Sequence, residues 1–255
     1  MNRTLLVALA TYRETVRRRV FLAAIGFSVL IFVAPLVAIP LASGQKETLV
    51  KDIGLSFINV FGVLLAILMS TSLVHDEIDR RTVYTLLARP VRRRDYLVGK
   101  YLGLTLMSAA NVAIMTTAFI AILSVTLGRI EWPLLASALL TFFEIAVVTA
   151  VAVLLTTVST PLLAACASLL FFVAGHFVGD LHAFGEQFSG PGGRSVLRVV
   201  SLVLPNLENL NAKGELVYGS GVSLAFLAFS ASYAACYAGL LLFLSALLFE
   251  RREFK

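Results

Sequence analysis

LLASALLTFFEIAVVTAVAVLLTTV, residues 134–158, holds one ionisable side chain, Glu144, in an otherwise apolar run. As a helix rising about 1.5 Å per residue, the run is long enough to cross the roughly 30 Å hydrocarbon core of a bilayer. Working outward, five more segments qualify: 20–39, 54–74, 102–127, 161–178 and 222–249. The shortest, 161–178, begins well, since Thr160 can cap it and Pro161 suits a first helical position. The first could be taken for a signal peptide ending at "PLA" (40–42), but its basic leader is too long and its apolar run spans a bilayer.

Composition agrees with a polytopic membrane protein. The chain is 59% hydrophobic and only 14% charged, with a mean hydropathy of +0.91; soluble domains carry about 25% charged residues. A net charge of +6 in a soluble domain would point to nucleic acid. Here the basic residues sit in loops, where they set orientation, and no nucleic-acid partner is expected. Cys166 and Cys236 lie inside apolar runs and read as small buried hydrophobes rather than a disulfide or metal pair.

Fifteen of the 21 Lys and Arg residues fall in the N-terminal arm, the 75–100 loop and the C-terminal tail. The loops 40–53, 128–133 and 179–221 hold the other six. Both termini and the 75–100 loop are therefore expected in the cytoplasm of a six-span, all-α protein. In the arm, residues 1–19, Leu5, Leu9, Tyr12 and Val16 recur at helical spacing, with Arg3, Glu14, Arg17 and Arg18 elsewhere. That pattern predicts an amphipathic elbow helix on the cytoplasmic membrane surface, or alternatively a helical extension of the first span. The extracytoplasmic segment 179–221 is too long for a simple connector. It contains "SGPGGRS", a run broken by Pro205, and Leu207 and Leu210 one turn apart, so short helices are expected before the sixth span.

Chemistry-bearing motifs are few. No phosphate-binding glycine loop is present, so the chain is not expected to bind ATP, or to act as an enzyme, by itself. His176, Asp180 and His182 could be ligands to a metal, but they also suit a helix end at the water interface, and no metal is expected. Glu144 lies deep in its span. A charge at that depth costs about 3 kcal/mol or more, so Glu144 either faces a substrate pathway or hydrogen-bonds between helices.

The loop "HDEIDRRTVYTLLARPVRRRDYLVGK", residues 75–100, gathers seven basic and four acidic residues. Its first part continues the second span as a helix until Arg89-Pro90, because Pro90 has no N–H and disfavours helix at Arg89. Val83, Tyr84, Leu86 and Leu87, flanked by charge, form an apolar patch suited to docking. The loop resembles the first cytoplasmic loop of ABC-2-type transporter permeases. The matching residues are Asp76-Glu77, Thr82, Leu86-Leu87, Arg89-Pro90-Val91, Arg93-Arg94 and Tyr96-Leu97-Val98-Gly99-Lys100. Arg92 departs from the Ser or Thr cap frequent in that family, so the re-entry helix is expected to start later. "ALATYRETVRRRVF" (8–21) is similar to the elbow helix of the subgroup associated with multicopper-enzyme maturation.

The resemblance implies a permease dimer in the inner membrane, coupled to two separate ATP-binding subunits that carry ATP and Mg. It implies export, with an extracytoplasmic accessory protein as a further partner. Glu77, Asp79, Arg80, Arg81, Tyr84, Leu86, Leu87, Arg89 and Pro90 would form the coupling surface, the apolar residues in a groove and the charges around it. An intramembrane enzyme would need several ionisable groups converging at one depth. An ion-coupled transporter would want buried acids and usually an internal repeat. A membrane scaffold is the remaining alternative.

Overall fold

The computed structural model describes residues 3–17, 26, 46–79, 93–128, 131–188, 204–211 and 223–251. It is all-helical over these residues. The helices are α1 (Arg3–Val16), α2 (Lys46–Asp79), α3 (Arg93–Leu127), α4 (Leu134–Val158), α5 (Pro161–Phe188) and α6 (Leu224–Arg251), with a 3₁₀ turn at Leu207–Leu210. In hydrocarbon a helix satisfies its own backbone polar groups, which is why apolar runs of this length fold this way. Five helices, α2 to α6, are long and apolar enough to cross a membrane. Of the expected first span, 20–39, only residue 26 is described, and the rest of the span lies outside the described residues.

Bounds differ from the hydropathy reading in an instructive way. α4 occupies the predicted residues, while α2 starts ahead of residue 54, α3 ahead of 102, and α5 runs on past 178 to Phe188. Backbone hydrogen bonding propagates through polar flanks that an apolar window leaves out. α3 begins at Arg93, directly after Arg92. Pro161 opens α5, and the carbonyl of Thr160 accepts from the Ala164 N–H at 2.8 Å. Only Ser159 and Thr160 separate α4 from α5.

α4 is the central helix. Ile145, Val147, Val148, Ala150 and Ala152 are wholly buried, covering its full circumference, and α2, α3, α5 and α6 all pack on it. The enclosure is confined to its middle and second half: nearer its start Leu135 and Leu139, one turn apart, stay 46% and 50% exposed. α5 and α6 are peripheral, presenting Leu162, Leu170, Phe177, Leu240 and Phe243 outward. Cys166 and Cys236 share these outer faces: both are free and exposed, not buried as their apolar surroundings suggested. Small hydroxyls inside the bundle bond back one turn, as in Ser70 to the Ala66 carbonyl (2.6 Å) and Thr149 to the Ile145 carbonyl (2.7 Å), so they need no partner helix.

The loops sort into two ends. At one, α1 packs on α3, and Tyr96 at the start of α3 stacks on Phe249 near the end of α6, ring centroids 6.4 Å apart. At the other, Lys51 of α2 bonds Glu47 at 2.7 Å and Glu131 of the α3–α4 connection at 3.0 Å. Segments rich in Lys and Arg thus share one end, and two of the poorer loops share the other.

α1 has three faces rather than two. Ala8, Thr11 and Thr15 are buried against the bundle, and Tyr12 and Val16 pack partly on the cluster of Leu65, Met69, Leu73, Leu97 and Met107. Leu5 and Leu9, 51% and 37% exposed, form a separate apolar edge. The seam with α3 is set by Gly99 and Gly103. A Cβ at Gly99 would lie 2.9 Å from the Thr4 carbonyl oxygen, and one at Gly103 would lie 2.6 Å from that of Ala8. Successive turns of α1 meet successive turns of α3, so the two lie along each other in the close approach that a Gly-x-x-x-Gly spacing permits.

Candidate functional site

The described bundle contains one deep ionisable couple. Glu144 projects from the middle of α4 and has no exposed surface. Across from it on α2, the Asn59 side-chain amide, itself 2% exposed, donates through Nδ2 to Glu144 Oε2 at 2.6 Å. On α5, His176 Nε2 lies 3.3 Å from Glu144 Oε1. The other ring nitrogen, Nδ1, sits 3.2 Å from the Phe172 carbonyl oxygen. That oxygen can only accept, so Nδ1 carries a proton and Nε2 is the atom turned to the carboxyl. The Phe172 ring meets the imidazole edge-on, centroids 4.8 Å apart.

This arrangement meets the burial cost of Glu144 with two polar neighbours: the imidazole stands 3.3 Å from one carboxyl oxygen, and the Asn59 amide gives the other a short hydrogen bond. Three helices are joined at one point. Of the two roles open to Glu144 in the sequence, the interhelical hydrogen bond is the one this conformation displays. A groove of about 500 Å³ between α3 and α4, lined by Ala109, Ala113, Thr116, Leu135, Ala138 and Phe142 among others, does not reach Glu144.

The sequence pointed to Glu144 but not to its partners. In the sequence His176 groups with Asp180 and His182 as a ligand or interface residue; in the structure its ring turns inward to α4. Asp180 and His182 belong to the continuing α5, and their side chains are outside the described set. Among the described residues no three His, Cys, Asp or Glu side chains converge on a metal-sized site. Asn59 and His176 are strongly polar residues well inside apolar runs, and that signal was available in the sequence. So was "GKYLG" (99–103), read only as part of a loop motif.

The expected coupling surface is only partly reached. Glu77 and Asp79 belong to the last turn of α2. Arg80, Arg81, Tyr84, Leu86, Leu87, Arg89 and Pro90 lie outside the described residues. At about 1.5 Å per residue, Asp79 stands about 30 Å along α2 from Asn59. The two candidate regions are therefore separate, connected by one uninterrupted helix.

Compared with known protein families, residues 5–254 match the one described as ABC-2 family transporter protein. A comparison with curated proteins finds no match.

Proposed function

The chain belongs to the ABC-2 transporter family, and on that premise we propose that it is the permease of an exporter driven by two separate ATP-binding subunits. It is a multi-pass membrane protein of all-α architecture and the membrane-spanning subunit of an ABC transporter, a family whose permeases work with ABC ATP-binding subunits. The finer reading is that two copies form the pathway in the inner membrane, with both termini in the cytoplasm. ATP and Mg bind to the partner subunits, and this chain carries no cofactor. An extracytoplasmic accessory protein completes the proposal. The elbow sequence at 8–21 supports placement in the multicopper-maturation subgroup.

One observation carries the coupling reading. α2 and α3 are the longest helices described, and their facing ends, Asp79 and Arg93, bracket residues 80–92, where the apolar patch is flanked by charge. In the proposed contact Tyr84, Leu86 and Leu87 enter a groove on the ATPase subunit, and Glu77, Asp79, Arg80, Arg81 and Arg89 ring it, with Pro90 ending the docking helix. Buried anchors carry most of an interface's energy and exposed rim charges little. Leu86→Asp or Leu87→Asp should therefore detach or uncouple the ATPase, while Arg92→Ala, beyond Pro90, should be tolerated. Co-purification of the ATPase and transport-coupled hydrolysis are the measurements. Aspartate variants that stay bound and coupled would place the contact elsewhere. Glu144 is proposed to meet the pathway only in a conformation where its bonds to Asn59 and His176 have opened.

A further inference from the structure

The residue before His176 is Gly175, and against Gly175 rests the 3₁₀ turn that precedes α6. A Cβ there would lie 2.7 Å from Leu207 Cδ1 and 3.2 Å from the Pro205 carbonyl oxygen. Leu207 and Leu210 are almost completely buried, in a cluster with Val50, Leu55, Ile58 and Ala234. From α6, the Tyr233 hydroxyl accepts from the Asn206 N–H at 3.1 Å, and the Asn206 side chain caps the turn by accepting from the Glu208 N–H at 3.1 Å. The turn therefore closes this end of the bundle with two leucines, and the missing side chain at Gly175 is what lets it rest on the α5 backbone.

One turn of α5 thus does two things. His176 faces Glu144 in the core, and Gly175 supports Leu207 above it. Packed elements move between discrete arrangements rather than deforming smoothly, so a shift of α5 at His176 would be felt by the turn on the neighbouring residue, Gly175. Asn59 Oδ1 is buried and without a hydrogen-bond partner among the described residues, and the 3.3 Å approach of His176 Nε2 to Glu144 Oε1 is an ion-pair contact rather than an aligned hydrogen bond, so the polar junction is not fully satisfied in this conformation. An alternative arrangement that satisfied it would recover part of the energy of breaking the junction.

We propose that Asn59, Glu144 and His176 form a latch that holds the Leu207–Leu210 turn closed, and that opening the latch lifts the turn. The device is independent of which ATPase or cargo the protein serves. It is tested with a single reporter cysteine, Leu207→Cys or in a second series Leu210→Cys, in the full chain lacking Cys166 and Cys236. The rate of reaction with a water-soluble maleimide reads how often the turn is open. Asn59→Leu and His176→Leu should each accelerate labelling of both reporters about tenfold or more, the population shift from losing the hydrogen bond or the ion-pair contact that buries Glu144. His176→Gln, which can still place an amide N–H against the Glu144 carboxyl, should return the rate toward that of the parent. Lys51→Met, which breaks an ion pair at the same end without touching the latch, should leave the rate unchanged. Unchanged labelling in both latch variants overturns the proposal. Equal acceleration by Lys51→Met overturns it too, because general loosening would then account for the effect.

Discussion

Gly103→Ala adds one methyl group where the structure has no room for it. The new carbon would sit 2.6 Å from the Ala8 carbonyl oxygen and 2.6 Å from Thr11 Cβ. The first of these is backbone, so no side-chain rotation relieves it, and α1 has to retreat from α3. A retreat of about 0.8 Å restores ordinary contact at residue 103 and opens the rest of the seam, forfeiting roughly a quarter to a half of each contact along it. Overpacking of this kind costs about 1–3 kcal/mol. Against it stands the gain of about 0.5–1 kcal/mol that alanine brings to a helix interior. The net expectation is a loss of up to about 2.5 kcal/mol, or a Tm lower by up to about 10 °C for a chain of this size. Gly239→Ala on α6 is the matched control, because a Cβ there meets nothing within 4 Å. It collects the helix gain without the clash, so its Tm should hold or rise. Thermal unfolding of the purified, detergent-solubilised protein compares the two. If Gly103→Ala is as stable as Gly239→Ala, α1 is not seated on α3 through this glycine pair.

Glu144→Gln keeps the shape and an acceptor for Asn59 while removing the carboxyl's ability to ionise. Expression and the size-exclusion profile should be preserved, and transport or coupled ATPase activity should fall; full activity would show that the charge has no part in the cycle. Lys51→Met strips the cation from a site where its own side chain is 9% exposed and that of Glu131 is 14% exposed. Leaving a largely buried carboxylate without this partner should cost about 1–3 kcal/mol, whereas Glu47→Gln, at the more exposed member of the group, should cost well under 1 kcal/mol. Thermal unfolding of the three proteins gives the order, and a Glu47 variant as damaged as the Lys51 variant would refute it.

Hydropathy recovered α4 to the residue because Pro133 and the Ser159-Thr160-Pro161 sequence punctuate it, and it located α2, α3, α5 and α6 without their polar ends. The arm's helix was legible, but its docking face was not. Ala8, Thr11 and Thr15 are too small to register in a hydrophobic pattern, and of the residues that do register Tyr12 and Val16 pack partly on the bundle while Leu5 and Leu9 form the edge turned away from it. Glu144 stood out through the cost of burying it. Its partners did not, because periodicity along one helix carries no information on which residues of other helices share its depth. Long helices extending beyond the apolar windows shift that register further. Of the proposed coupling residues from Arg80 to Pro90, the apolar patch was legible from its flanking charge and the assignment to coupling from the family pattern; the contacts proposed for them lie with a second protein.

The enclosure of the Glu144 stretch of α4 bears on how the protein is made. The ribosome delivers α4 before α5 and α6 exist, so a stretch that ends up wrapped by protein first meets lipid with a carboxyl in it. Asn59 is already present on α2 and can receive that carboxyl at once. His176 follows on α5, joined to α4 by two residues only, so the pair can enter the bilayer as one hairpin with the imidazole trailing close behind the acid. The order of synthesis thus supplies the partners of Glu144 one by one, and biogenesis should be most vulnerable in the interval before α5 arrives.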